Sequence, residues 1–171
     1  MKVLMDETSI TRSLTRITHE ILERNKGVND LVLFGIKTRG AYLAKRIGTN
    51  ILSFEGSMVP VFELDIRPWR DDLKQPEVSP ALNFAKVDIE DKIVVLVDDV
   101  LFKGRTVRAA LTGILSIGRP RQIQLAVLID RGHRELPIRA DYVGKNIPTA
   151  KSEEVKLHLK ECDNAEEAIL L

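Results

Sequence analysis

The apolar residues near the amino-terminal end of the chain follow a helical period. Ile10, Leu14, Ile17 and Ile21 are spaced by four, three and four residues, which places them on one stripe of a helix with 3.6 residues per turn. A polar residue at position 6, 8 or 9 can cap the start, and Lys26-Gly27 ends the pattern. We therefore predict one long amphipathic helix, with Glu20 and Arg24 forming an i,i+4 pair on its surface.

Further along the chain, apolar runs typical of buried strands alternate with helical patterns. The predicted strands cover residues 31–36, 59–66, 93–97 and 123–129, and the predicted helices cover 41–52 and 107–117. This alternation predicts an α/β fold with a mainly parallel central sheet flanked by helices, formed as a single domain over residues 1–171. Ligands of such sheets lie beyond the carboxyl ends of the strands, so the candidate loops are 37–40, 98–105 and 130–134.

The stretch at residues 67–88 fits neither type of element. It contains three prolines and a group of charged residues at 70–74, with little periodicity. A loop of this length within a small domain is often functional. It is either a flap or arm over a site, or a solvated excursion.

Composition and charge narrow the classes of protein. The 171 residues suit one domain, and 26 basic against 25 acidic residues give a net charge of +1. Bulk charge therefore predicts no nucleic-acid or membrane partner, and an RNA site would need a local patch. The single cysteine, Cys162, excludes an internal disulfide framework, and we expect no structural metal site. No run of signal-peptide or membrane-spanning length is present, so the expected location is the cytoplasm.

The strongest chemical signal lies at residues 94–106. An apolar strand is expected to end on Asp98 and Asp99, and a short turn containing Gly104 then opens a helix at Thr106. Backbone N–H groups at such a turn suit a phosphate, Gly104 permits close approach, and Thr106 can donate a hydroxyl or cap the helix. Ionised carboxylates suit the hydroxyls of a ribose. The alternative is a strand end with no ligand, which would leave two adjacent carboxylates uncompensated.

Two other phosphate motifs fail on their residues. Residues 35–40 have the glycine spacing of a P-loop, but Ala41 and Tyr42 replace the required Lys and Ser or Thr. No Gly-x-Gly-x-x-Gly sequence is present. The loop at 37–40 still follows a buried strand and precedes a helix, so it is either an anion-binding loop or a basic surface turn.

Residues 98–106 resemble the phosphoribosyl pyrophosphate (PRPP) motif of type I phosphoribosyltransferases. Together with residues 35–40, 70–73 and above all the block at 130–149, the sequence from about Thr8 to Val155 resembles the bacterial bifunctional pyrimidine operon regulators and uracil phosphoribosyltransferases. The resemblance implies the type I phosphoribosyltransferase fold, with a flexible arm and a small hood.

The resemblance also implies roles for individual residues. Asp98 and Asp99 would hold the ribose hydroxyls, Arg70 of the arm would help to exclude water, and these three form the expected catalytic group. Mg²⁺ would be held mainly by PRPP and not by a dedicated protein site. The full substrate-binding set implied is Thr38, Arg39, Asp98, Asp99, Val100, Leu101, Phe102, Lys103, Gly104, Arg105, Thr106, Arg131 and Val155.

One departure from the family pattern concerns turnover. Lys103-Gly104 stands where family members usually have Thr-Gly, so a hydroxyl donor is replaced by a bulkier point charge. We expect nucleotide binding to survive and catalysis to be weakened. Phe102 replaces the common tyrosine and removes one hydroxyl.

The resemblance further implies binding to a stem-loop in pyrimidine-operon leader RNA, strengthened by uridine nucleotides. Arg, Lys, Thr and His are residue types that bind RNA phosphates and unpaired bases. Two groups carry them, and the alternative is that both are ordinary solvated faces, with Arg16 paired to Glu20. The expected RNA-binding residues are Arg12, Thr15, Arg16, His19, His133, Arg134, Arg139 and Lys145.

The resemblance therefore implies a uridine-nucleotide-dependent regulator of transcription attenuation with uracil phosphoribosyltransferase activity. The expected partners are PRPP, uracil, UMP or UTP and leader mRNA, with a homodimer or higher homo-oligomer and no membrane. Two alternatives stay open, a salvage enzyme without an RNA role and a nucleotide sensor that no longer catalyses.

Overall fold

The computed structural model describes residues 1–72 and 87–171, so residues 73–86 of the predicted arm lie outside the described part. The strands are β1 (Lys2–Met5), β2 (Leu31–Ile36), β3 (Val61–Leu64), β4 (Ile93–Leu101), β5 (Gln122–Asp130), β6 (Tyr142–Asn146), β7 (Val155–His158) and β8 (Glu167–Leu170). The helices are α1 (Glu7–Arg24), α2 (Arg39–Glu55), α3 (Arg105–Ile117) and α4 (Lys160–Asp163), with a 3₁₀ turn at Arg67–Trp69.

Five parallel strands form the central sheet in the order β3-β2-β4-β5-β6. The chain runs from β2 to β3 on one side and then returns to place β4 on the other side of β2. This change of direction between β2 and β4 is the switch point at which parallel sheets bind ligands.

The three inner strands, β2, β4 and β5, are buried on both faces over most of their length, as their continuous apolar sequences predict. In β4, Val95 and Val97 pack in the core shared with α1 and α2, whereas Val94 and Leu96 pack in the core shared with α3. The predicted stripe of α1 is buried as well, and Asp6 caps this helix by accepting a hydrogen bond from the N–H of Ser9 at 2.8 Å.

A separate antiparallel sheet, β1-β8-β7, forms the hood together with α4. Arg46 of α2 pairs with Glu161 at 2.6 Å and also with Glu166, so the hood is fastened to the α2 side of the domain. Hydrogen bonds from Arg46 lower the pKa of Glu161.

The structure corrects several of the sequence predictions. β4 does not end before Asp98 but continues to Leu101, because Val100 and Leu101 still pair with β5. β3 is shorter than predicted, and the strands of the hood and β6 were missed because each has only four or five residues. Arg24 pairs with Asp141 at 2.8 Å, and Glu20 pairs with Arg16 instead.

Among the described residues, no helix is long and apolar enough to cross a membrane.

Candidate active site

A cavity of about 510 Å³ lies at the carboxyl ends of β2, β3 and β4, at the switch point of the sheet. Asp98 and Asp99 line it from β4, Thr38 from the start of α2, and Thr106 from the start of α3. Val100 also lines it from β4, and Arg70, at the start of the arm, completes this set of predicted residues. Six of the predicted site residues therefore meet in one cavity, although they come from four separate segments of the chain.

Asp98 is buried, with 7% of its surface exposed. Burial raises the pKa of this carboxyl well above its ordinary value, and the adjacent charge of Asp99 adds to the rise. Each carboxylate also bonds locally, since Asp98 accepts from the N–H of Asp99 at 2.9 Å and Asp99 accepts from the N–H of Val100 at 2.7 Å. These bonds leave further acceptor capacity on both carboxylates for a diol.

Two glycines allow the backbone at the starts of α2 and α3 to adopt its conformation beside the cavity. A Cβ on Gly40 would lie 2.6 Å from the carbonyl oxygen of Val97, so the start of α2 can approach the end of β4 only with glycine there. Gly104 precedes α3 with a φ of 92°, in the left-handed region that favours glycine. Both positions therefore require glycine, and both lie at the edge of the sheet that contains the cavity.

The turn from Val100 to Thr106 forms a smaller cavity of about 160 Å³ beside Asp98. It includes all the predicted turn residues, and α3 begins at Arg105, so the free N–H groups of the helix start are next to it. Thr106 does not cap the helix, contrary to one of its two predicted roles, because the helix begins one residue earlier and Gly104 occupies the cap position.

Lys103 is exposed and lines both this turn and a neighbouring cavity of about 730 Å³. Its ammonium nitrogen lies 5.5 Å from the centre of the Phe102 ring. Lys103 therefore lies at the edge of the turn formed by residues 100–106, which we call the phosphate turn after its predicted role, and lines the cavity that this turn forms.

The guanidinium of Arg105 bridges two carboxylates. It lies 2.9 Å from Asp71 of the arm and 2.9 Å from Glu135. Its backbone belongs to the phosphate turn, while its side chain joins the arm to the loop after β5.

Arg39, Arg131 and Val155 do not line the main cavity. Arg39 forms two hydrogen bonds with Asp163 of the hood, at 2.8 and 3.2 Å, and these lower the pKa of Asp163. Arg131 is 5% exposed; it donates to the carbonyl of Ala150 at 2.9 Å and its guanidinium carbon lies 3.9 Å from the centre of the Phe102 ring. Val155 begins β7 in the hood and is half-buried.

The cavity also contains residues that the sequence prediction did not include. Asp65 and Arg67 line it, and Asp65 accepts hydrogen bonds from Arg67 that lower its pKa. Lys37 also lines it and lies in the predicted candidate loop at 37–40, although it was not named as a site residue. Asp65 and Arg67 lie at the end of the predicted strand 59–66. Applying the strand-end rule to that strand would have identified them.

The structure divides the predicted RNA-binding residues into two groups. Arg16 donates to the carbonyl of Gly144 at 2.6 Å, which places Arg12, Thr15, Arg16 and His19 of α1 beside Lys145 of β6. We call these five residues the α1 face. Arg12 makes no hydrogen bond or ion pair with any residue that the structure describes, and it is exposed.

The second group, His133, Arg134 and Arg139, lies on the loop next to the phosphate turn. Arg134 donates to the carbonyl of Phe102 at 2.8 Å and pairs with Asp130, and His133 bonds to the carbonyl of Thr149. Arg134 therefore braces the loop and is not a free surface cation. Arg139 is exposed.

Comparison with known proteins places the chain in a family. Residues 4–161 match the phosphoribosyl transferase domain. The chain is 57% identical over 174 residues to the bifunctional protein PyrR of Listeria welshimeri, covering 99% of this chain and 95% of the relative. It is 56% identical to the bifunctional protein PyrR of Alkaliphilus metalliredigens, covering 98% and 93%.

Solved structures share the fold at lower identity. The hypoxanthine phosphoribosyltransferase of Trypanosoma cruzi matches with a TM-score of 0.74 at 21% identity, covering 100% of this chain and 96% of the other. That of Staphylococcus aureus matches with a TM-score of 0.69 at 22% identity, covering 87% and 79%. The predicted type I phosphoribosyltransferase fold is thus confirmed, and the chain belongs to the phosphoribosyl transferase domain family and, within it, to the bifunctional PyrR proteins.

Proposed function

We propose that this protein regulates pyrimidine-operon transcription by binding leader RNA in response to uridine nucleotides, and that it makes UMP and diphosphate from uracil and PRPP. The observation that carries the enzymatic half is the meeting of Asp98, Asp99, Thr38 and Thr106 in one cavity at the switch point of the sheet. Membership of the bifunctional PyrR family supports both halves.

In the reaction, a uracil nitrogen displaces diphosphate from the ribose through an oxocarbenium-like state. Asp98 and Asp99 orient the ribose through its hydroxyls, and the helix start at Arg105 and Thr106 holds the 5′-phosphate. In this proposal Lys37 and Thr38, which line the same cavity, face the leaving diphosphate. Arg70 and the rest of the arm exclude water from the cavity, which strengthens each of these electrostatic contacts.

A magnesium ion fits this set of residues as a partner of the substrate. Mg²⁺ prefers oxygen ligands and is commonly bound by one or two carboxylates together with phosphates. The cavity offers Asp98 and Asp99, while the described residues contain no group of three acidic, His or Cys side chains that would form a dedicated site. Bound with PRPP, the ion supplies positive charge to the leaving diphosphate.

The RNA half is assigned to the α1 face, in which Arg12 is exposed and has no hydrogen-bond or ion-pair partner among the described residues. Nucleotide in the cavity strengthens RNA binding, and the expected assembly is a homodimer or higher homo-oligomer in the cytoplasm. A single experiment separates the three candidate functions: UMP formation from uracil and PRPP is measured beside RNA affinity for the same preparation. UMP formation without RNA binding indicates a salvage enzyme, and RNA binding without UMP formation indicates a sensor that no longer catalyses.

Arg12→Glu tests the location of the RNA site. We expect it to lower RNA affinity about tenfold or more and to reduce the salt dependence of binding, while UMP formation stays unchanged. Unchanged RNA affinity would exclude the α1 face.

A further inference from the structure

A second cavity of about 510 Å³ lies between α1 and α2 and shares no lining residue with the active-site cavity. Leu14 and Thr15 line it from α1, and Tyr42 and Asn50 line it from α2. Its volume is within the range of small-molecule sites, which is about 300–1,000 Å³. We call it the α1–α2 groove.

Several polar groups in the groove have hydrogen-bonding capacity left over. Among the described residues, the hydroxyls of Thr11, Thr15 and Tyr42 have no hydrogen-bond partner. Asn50 donates its amide N–H to the Thr18 hydroxyl at 3.3 Å, which leaves the amide oxygen as a free acceptor. A groove with an apolar floor and unused donors and acceptors suits a ligand with an apolar body and polar edges.

The charges around the groove are already neutralised. Lys45 pairs with Glu63 at 2.7 Å, and Arg46 pairs with Glu161 and Glu166. Because these cations have partners, the groove is poorly suited to a phosphate, which needs uncompensated positive charge. It favours a neutral planar group.

A pair of stacked aromatic rings forms a second contact between α1 and α2. His19 of α1 and Phe54 of α2 stack with ring centres 4.4 Å apart and planes 4° from parallel. Both rings are exposed, and 42% of the Phe54 surface is accessible. Exposed planar rings are the surfaces on which unpaired bases stack.

The groove and the aromatic pair adjoin the α1 face. Thr15 lines the groove, His19 follows one helical turn later, and Arg12 and Arg16 lie on the same side of α1. We propose that the α1–α2 groove receives an unpaired base of the bound RNA, that a neighbouring base stacks on the His19–Phe54 pair, and that the phosphates between them contact Arg12, the cation of this side of α1 that is not already paired within the described part of the chain. This inference rests on the proposed RNA-binding function and adds Tyr42, Asn50 and Phe54 to it.

The test uses a pyrimidine-operon leader hairpin in which each unpaired position is replaced in turn by the fluorescent base 2-aminopurine. With the full-length protein, we expect at least one position to lose emission on binding because its base stacks on an aromatic ring. Phe54→Leu should abolish that change and weaken RNA affinity about tenfold. Tyr42→Phe, which removes only a hydroxyl, should weaken affinity about threefold. Leu115→Ala, at an exposed apolar residue of α3, is the matched control and should change nothing.

The outcomes separate this inference from the function on which it rests. Wild-type RNA binding with Phe54→Leu and Tyr42→Phe both binding normally would overturn the groove assignment and leave the RNA role intact. No RNA binding by the wild-type protein would end both. UMP formation by each variant reports folding, and because Tyr42→Phe preserves packing, its affinity decides the matter if Phe54→Leu is unstable. A variant that changes subunit assembly instead of RNA affinity would make the groove a protein contact and would also overturn the proposal.

Discussion

The charged side chains that join the hood to α2 are paired with opposite charges, whereas, within the described part of the chain, Asp98 and Asp99 at the active-site edge of the central sheet are not. Where the hood meets α2, Arg46 of α2 pairs with two glutamates of the hood side, and Arg39 of α2 pairs with Asp163. At the sheet edge, Asp98 is buried against Asp99 with no cation bonded to either carboxylate among the described residues. The hood is stabilised by its charges, whereas the active site keeps an electrostatic cost that a ribose and its metal ion would relieve.

The two regions should therefore respond oppositely to pH. Arginine hydrogen bonds lower the pKa values of Asp163 and Glu161, so their contribution to stability is present above about pH 4 and is lost as the pH falls. Burial raises the pKa of Asp98, so its ionisation costs stability as the pH rises from about 4 through the folded-state value. The following substitutions test this contrast.

The largest expected effect is on catalysis at the sheet edge. Asp99→Asn keeps the shape of the side chain but removes the charge that holds the ribose hydroxyls, so kcat/KM for UMP formation should fall about 100-fold, or about 2.7 kcal/mol. Steady-state assays with saturating uracil measure it. Asp91→Asn, at an exposed carboxylate with 84% of its side chain accessible, is the control. Equal activity of the two variants would remove Asp99 from the reaction.

In the hood, the largest effect is expected on stability. Arg46→Ala leaves Glu161 and Glu166 without their shared cation, which should lower the free energy of unfolding by about 2 kcal/mol. Urea denaturation measures the change. Lys45→Ala removes an exposed pair from the same helix and should cost less than about 0.5 kcal/mol. Similar losses of unfolding free energy in both variants would show that the pairs of Arg46 stabilise the protein no more than an exposed ion pair does.

Asp98→Asn should separate stability from function. It removes the cost of a buried carboxylate while keeping an acceptor for the N–H of Asp99, so the unfolding free energy at pH 7 should rise by about 1 kcal/mol while UMP formation falls. The gain should vanish near pH 4, where the wild-type side chain is protonated. Urea denaturation between pH 4 and 8 measures both, and a pH-independent difference would contradict the assigned cause.

The smallest effect is expected at Lys103, where members of the family usually have threonine. Lys103→Thr removes a cation from the edge of the phosphate turn, so product should leave faster and kcat should rise about threefold, with weaker PRPP binding. Both constants should also become less sensitive to salt. If kcat stays constant while only KM changes, Lys103 contributes binding and does not limit turnover.

The central sheet could be predicted from the sequence because its signals are local. The apolar run of β2 was predicted with its exact bounds. The turn after β4 could also be predicted, because the apolar strand, Gly104 and the start of α3 follow one another directly in the sequence. Of the six predicted residues that meet in the cavity, Thr38 and the residues at 98–100 follow from the rule that parallel strands end at one edge of the sheet, whereas Arg70 followed from the resemblance.

The strands of the hood could not be located from the residue pattern, because β1 and β8 pair across almost the whole length of the chain and each has four residues. The small hood itself was implied only by the resemblance. The partners of Arg39 and Arg134 could not be predicted either, because they too are distant in the sequence. Arginine commonly binds anions, but in the folded chain Arg39 pairs with Asp163 and Arg134 donates to the carbonyl of Phe102. Sequence alone gives the charge of a side chain and not its partner.

The proposed coupling between the nucleotide cavity and the α1 face is tested most directly by RNA binding with and without UMP. A gel-shift titration of a pyrimidine-operon leader stem-loop at fixed salt should show tight binding that UMP strengthens by about tenfold, a coupling free energy of about 1.4 kcal/mol. RNA binding no tighter than that of an unrelated hairpin, with or without UMP, would contradict the regulatory function and leave a salvage uracil phosphoribosyltransferase.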